Sequence, residues 1–176
     1  MYKTLFSFII ILSSLSSSAQ WTHKYFVDEF GDKTEDSYIV STCTGTFSNS
    51  ATSNSKLSVN CMVEIEDSLP RIRFNLFEYG NRMVKDFGGQ NIVVKIKLSD
   101  GTIESFKLYG NGQYATLGVD NSIKLIEILK RESKPLKVYI ERYDDYSESK
   151  YNFTLSPIGF TNAVNKLYRI DKAKNG

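Results

Sequence analysis

The chain has 176 residues, with 22 Lys and Arg against 20 Asp and Glu, a formal net charge of +2, and 11 Tyr and 11 Phe among its 41% hydrophobic residues. So small a net charge supplies no strong field to draw it to nucleic acid or anionic lipid, and a composition this aromatic with only 3 Pro suits a packed β-rich domain and argues against disorder. One His and two Cys leave too few ligands for a typical zinc cage and too few partners for a His-based triad.

Residues 1–19 read as a cleaved secretory signal: Lys3, an apolar run from Leu5 to Leu12, then Ser17-Ser18-Ala19. That run is far shorter than the roughly 20 residues needed to cross a bilayer, so cleavage is predicted between Ala19 and Gln20 rather than retention as an anchor. No second membrane span is predicted. The mature chain, 20–176, is expected to be one domain in a periplasm or outside the cell, where disulfides persist.

His23, the lone imidazole, is read as exposed near the new terminus. Asp28, Glu29, Asp32, Glu35 and Asp36 crowd one segment, read as a solvated loop with weak calcium binding as the alternative; the spacing does not fit a helix-loop-helix site, and Lys33 sits in its middle.

Tyr38 to Phe47 and Leu57 to Ile65 alternate as two strands, joined by the small polar residues Ser48 to Lys56. A hairpin centred on position 52 sets Cys43 opposite Cys61 and puts Ile39, Cys43, Phe47, Leu57, Val59, Cys61, Val63 and Ile65 on one face. Directly opposed residues have Cα atoms about 4.5–5.5 Å apart, within disulfide range, so a structural Cys43–Cys61 bridge is predicted, with two buried free thiols as the alternative. The cysteines are eighteen residues apart, unlike the close pair of a catalytic dithiol.

Arg71 to Tyr79 forms the next strand, with Ile72, Phe74 and Leu76 inward and the arginines outward, before a turn at Glu78-Tyr79-Gly80-Asn81. Ile92 to Leu98 and Ile103 to Leu108 flank the hairpin signal Asp100-Gly101. If Leu98 faces Ile103, a bulge is needed between Ile103 and Phe106 to restore the alternation. Asp120 or Asn121 can cap a helix to about Glu132, with Ile123, Ile126 and Leu129 as its stripe and Leu125 and Ile128 widening it; Pro135 stops it. Leu136 to Glu141 and Tyr151 to Leu155 are the last strands, joined by the charged loop 142–150. Thr161 can cap a short helix burying Phe160, Ala163, Val164, Leu167 and Tyr168, and the tail from Asp171 reads as solvated. About seven strands in hairpin order with one or two short helices predict a mainly β fold, an antiparallel two-layer β-sandwich.

Paired carboxylates for glycoside cleavage are available by number, but no pair is singled out. No Gly-rich loop opens a helix to hold phosphate. No catalytic residue, metal site or cofactor is therefore assigned. Some of the many aromatics must be exposed, among them Phe77, Tyr109, Tyr139 and Tyr143, and these offer a candidate binding surface, with ordinary strand residues facing a loop or helix as the alternative. Asn152-Phe153-Thr154 fits the N-glycosylation pattern.

The stretch from Trp21 through Tyr25-Phe26-Val27-Asp28-Glu29-Phe30-Gly31-Asp32 to Asp36-Ser37-Tyr38-Ile39, followed by Gly45-Thr46-Phe47-Ser48-Asn49-Ser50-Ala51, resembles an uncharacterised family of small exported bacterial proteins. That likeness covers nearly the whole mature chain and brings no activity. Trp21, a helix after Asp120, a following strand and the ending Gly159-Phe160 with Ala163 are similar, more weakly, to the invasion-associated locus B family of periplasmic bacterial proteins, whose additional cysteines this chain lacks. The expectation is an exported, non-enzymatic β-domain that binds a protein or glycan at the envelope or cell surface. A secreted hydrolase using paired carboxylates, or an inhibitor or immunity-type protein, is the alternative.

Overall fold

The computed structural model describes residues 21–85, 87, 92–143 and 148–175, so the predicted signal segment 1–19 and its cleavage point lie outside the described residues. Among the described residues, ten strands form one antiparallel sheet: β1 (Thr22–Val27), β2 (Lys33–Asn49), β3 (Thr52–Glu66), β4 (Leu69–Glu78), β5 (Arg82–Met83), β6 (Ile92–Lys97), β7 (Ile103–Asn111), β8 (Tyr114–Leu117), β9 (Leu136–Tyr143) and β10 (Glu148–Leu155). Helix α1 (Val119–Arg131) joins β8 to β9, and α2 (Phe160–Asn175) follows β10. The expected class therefore stands, mainly β and antiparallel with two helices. Its two layers are opposite walls of one sheet: the order β2-β10-β9-β6-β7-β8-β4-β3 returns to β2 through the β2–β3 pairing. Closure leaves β1 and the two-residue β5 as outlying strands beside β2 and β4.

Alternation dictates the wall. Cys43 and Phe47 of β2, Val59 and Val63 of β3, Ile72, Phe74 and Leu76 of β4, and Ile92, Val94 and Ile96 of β6 all point inward and are buried. Side chains from separate strands meet inside; the rings of Phe74 and Phe153 lie 6.1 Å apart. The β2–β10 seam needs Gly45, where an added Cβ would fall 1.9 Å from the carbonyl oxygen of Asn152. Both helices bring apolar residues into the same core, α1 through Leu125, Ile126, Ile128 and Leu129, and α2 through Phe160, Val164 and Leu167. Ser122 fixes α1 by accepting the Ile72 N–H at 3.1 Å, and Trp21 donates its indole N–H to the Ser156 carbonyl at 2.8 Å. Near the opposite ends of these strands, Phe87 enters the core against Gly110, where a Cβ would stand 2.5 Å from the Phe87 carbonyl oxygen.

Several expectations need correction. The β2–β3 hairpin pairs Cys43 with Val59 and Ser41 with Cys61, two residues away from the predicted register. Asn49 closes a tighter turn than the composition of 48–56 suggests, its side-chain oxygen accepting the N–H groups of Ala51 and Thr52, and an irregularity between Phe47 and Asn49 brings the net displacement to two. A shift of two preserves the face of every residue, so the predicted apolar side is right while the cysteine opposition is not. Cys43 and Cys61 are buried free thiols. Diagonal positions are separated by about 7–8 Å, beyond disulfide reach without backbone movement.

No bulge interrupts β6–β7, since Lys97 rather than Leu98 faces Ile103, and Val94 then opposes Phe106 without irregularity. Ile123 is exposed, and Ser122 takes the buried place on α1. Gly118, not Asp120 or Asn121, is the helix N-cap. The tail from Asp171 is largely exposed as expected, but it is helical, the last turns of α2, held where Lys174 bridges to Asp36. The acidic segment is partly strand: only Asp28 to Asp32 turn, with Asp28 accepting the N–H groups of Phe30 and Asp32. Among the described residues, no helix is long and apolar enough to cross a membrane.

Candidate functional site

Concave surface opens at several places among the described residues, and three of them bring candidate residues together. The first is a cleft of about 430 Å³ beside the C-terminal turn of α2, lined by Asp36, Glu64, Glu66, Arg73 and Lys174. Register sets Glu64 against Arg71 and Met62 against Arg73, and the side chains interlock: Arg73 meets Glu64 at 2.6 Å and Glu66 at 3.6 Å, while Arg71 meets Glu66 at 2.6 Å. Burial pushes the Glu64 carboxyl above its ordinary range, and the Arg73 guanidinium opposes that shift without cancelling it. Two acids lie close together here, but both grip the same arginine, so their chemistry is that of a charge network.

At the other end of the strands, a cavity of about 920 Å³ is lined by Glu78, Tyr79, Met83 and Arg142. Tyr151 donates its hydroxyl to Glu78 at 2.9 Å, and its pKa is pushed up to about 12, first by burial and then by the Glu78 charge. The Arg142 guanidinium stands 5.7 Å from the Phe87 ring centre.

A third surface is the outer face of β9, β6 and β7. Two cross-strand rows lie side by side: Lys137, Lys97 and Ile103, then Tyr139, Lys95 and Ser105. Adjacent strands are about 4.8 Å apart, so the three lysines form one compact group. They border a shallow groove of about 320 Å³ with Ile103, Tyr139 and Asn152. Ile103 is 60% exposed and Tyr139 half-buried. Tyr139 donates its hydroxyl to Glu141 at 2.8 Å, and its ring lies 5.8 Å from the Lys95 ammonium. Burial, and then that carboxylate, raise the Tyr139 pKa. Among the described residues, none of Lys95, Lys97 and Lys137 forms an ion pair.

The four aromatic positions predicted to bind do not form one patch. Tyr139 and Tyr143 share the outer face of β9, and Tyr143 is exposed, its pKa pushed up to about 12 chiefly by a hydrogen bond to Glu148. Exposed Tyr109 is on β7, one strand beyond β6. Phe77 is half-buried on β4, separated from β7 by β8, so it belongs to another part of the ring. His23 is not simply exposed: it packs edge-on against Tyr25 with ring centres 4.9 Å apart, and burial followed by the Lys166 charge lowers its pKa. Among the described residues, no cluster of three or more His, Cys, Asp or Glu could hold a metal ion. The residues missed by sequence reasoning are Lys95, Lys97, Lys137 and Ile103. Their outward alternation was visible, but their convergence depends on the β9–β6 pairing. Comparison with protein-family models, curated proteins and solved structures finds no match to the chain.

Proposed function

We propose that the chain is an exported, non-enzymatic β-domain that binds a protein or glycan at the cell envelope or surface through the outer face of β9 and β6. The observation that carries this reading is the constellation of half-buried Tyr139 with the exposed Lys95, Lys97 and Lys137, a group of cations beside apolar surface with no ion-pair partner among the described residues. The resemblance to small exported bacterial proteins agrees with the location, as does the apolar run near the N-terminus. The test is retention of an envelope extract on the immobilised protein, beside a Tyr139→Ser/Tyr143→Ser variant whose unchanged melting temperature shows that it is folded. Loss of a specific retained component in the variant is the expected result. Retention indifferent to this face overturns the reading, and glycan hydrolysis abolished by Glu64→Gln replaces it with the hydrolase.

A further inference from the structure

Resting on that reading, we propose that the β9–β6–β7 groove binds an acidic polysaccharide, with a sugar face against Ile103 and Tyr139 and its carboxylates against Lys95, Lys97 and Lys137. Lys97 and Lys137 are direct cross-strand partners, and Lys95 follows two residues before Lys97 on the same face. Like charges opposed across a sheet are unfavourable, and nothing in the fold requires lysine at these exposed positions. Three ammonium groups within about one Debye length of one another favour a multiply charged anion over a single point charge.

The rest of the groove narrows the class. Its apolar lining is Ile103, Tyr139 and Val138, surface suited to the C–H face of a sugar ring. Tyr139 is held in place through its hydroxyl bond to Glu141, so little rotational freedom is lost when a ring stacks on it. The exposed Asn152 amide at the edge can both donate to and accept from sugar hydroxyls. Nucleic acid and anionic membranes draw on extended basic fields, and this chain has a formal net charge of only +2, so the attraction here is local.

Calorimetric titration of the purified exported protein with polygalacturonate tests the assignment, with dextran as the neutral glycan and phosphatidylglycerol vesicles as the anionic lipid. Polygalacturonate should bind, more weakly as salt rises, while dextran and vesicles do not. A Lys97→Gln/Lys137→Gln variant should lose about tenfold in affinity, and Lys172→Gln, on the exposed side of α2, should lose none. Equal binding of dextran, preference for vesicles, self-association without polygalacturonate binding, or indifference to the double substitution each overturn the assignment. If polygalacturonate fails while Tyr139→Ser/Tyr143→Ser still abolishes envelope retention, the acidic-glycan assignment falls and the broader reading stands. If retention is also indifferent to that variant, both fall.

Discussion

The two faces of β6 and β9 obey different rules although they alternate along the same backbone. Inward, Ile92, Val94 and Ile96 meet Val138 and Ile140 in a core where rings and branched side chains fill the space between walls. Outward, Lys95 and Lys97 stand beside Lys137 and Tyr139. Burial explains every inward choice, since each apolar side chain withdrawn from water stabilises the fold by about 1.5–3 kcal/mol. No comparable force explains three adjacent lysines on the outside. An arrangement that folding does not require, and mildly opposes, is what the proposed recognition role rests on.

The comparison breaks most visibly at Gly45, on the inward side of the β2–β10 seam. Gly45→Val should cost about 3 kcal/mol, because the new side chain meets backbone that cannot move without opening the ring. Urea denaturation measures it, and a loss below about 0.5 kcal/mol, the range of ordinary surface changes, would mean that the seam is not closely packed.

Face assignment was legible in the sequence because it depends only on odd or even position. Register was not, because a displacement of two residues leaves every face unchanged: Ile39, Cys43, Phe47, Val59 and Val63 were placed correctly while the cysteines were not opposed. Strand β1 escaped notice because both its faces are partly exposed and its residues carry little alternation. Strand β8 has only four residues, too few for a periodic signal. The helical tail is held partly by the long-range contact of Lys174 with Asp36, which no local pattern announces. The lysine groove was hidden for a similar reason, since β6 and β9 are separated in sequence by β7, β8 and α1.

The buried thiols give the next effect. Burial raises the Cys43 pKa from 9.0 to about 11, and Cys61 also titrates well above 9.0, raised by burial and then by the neighbouring Cys43 charge. A raised folded pKa means that the folded state holds the proton more tightly. The associated stability is fully present below pH 9 and is lost as pH climbs toward 11. For Cys43 the loss is on the order of 2 kcal/mol. Denaturation midpoints of wild type and Cys43→Ala, measured across that interval, should converge as pH rises, whereas parallel curves would show that the thiol is not held protonated by the core.

The smallest change in stability should come from the outer face, and there its sign matters more than its size. Lys97→Gln/Lys137→Gln removes two opposed like charges without exposing or burying apolar surface, so the protein should become more stable by a few tenths of a kcal/mol at low salt. The gain should fade as salt screens the repulsion. Thermal melts at low and high ionic strength measure this, and a destabilised variant would mean that the lysines are structural after all. A substitution that leaves the fold slightly stronger while weakening polygalacturonate binding about tenfold separates recognition from folding on a single pair of strands. Gly45→Val would act the other way, through the wall itself, and should weaken binding only to the extent that it unfolds the protein.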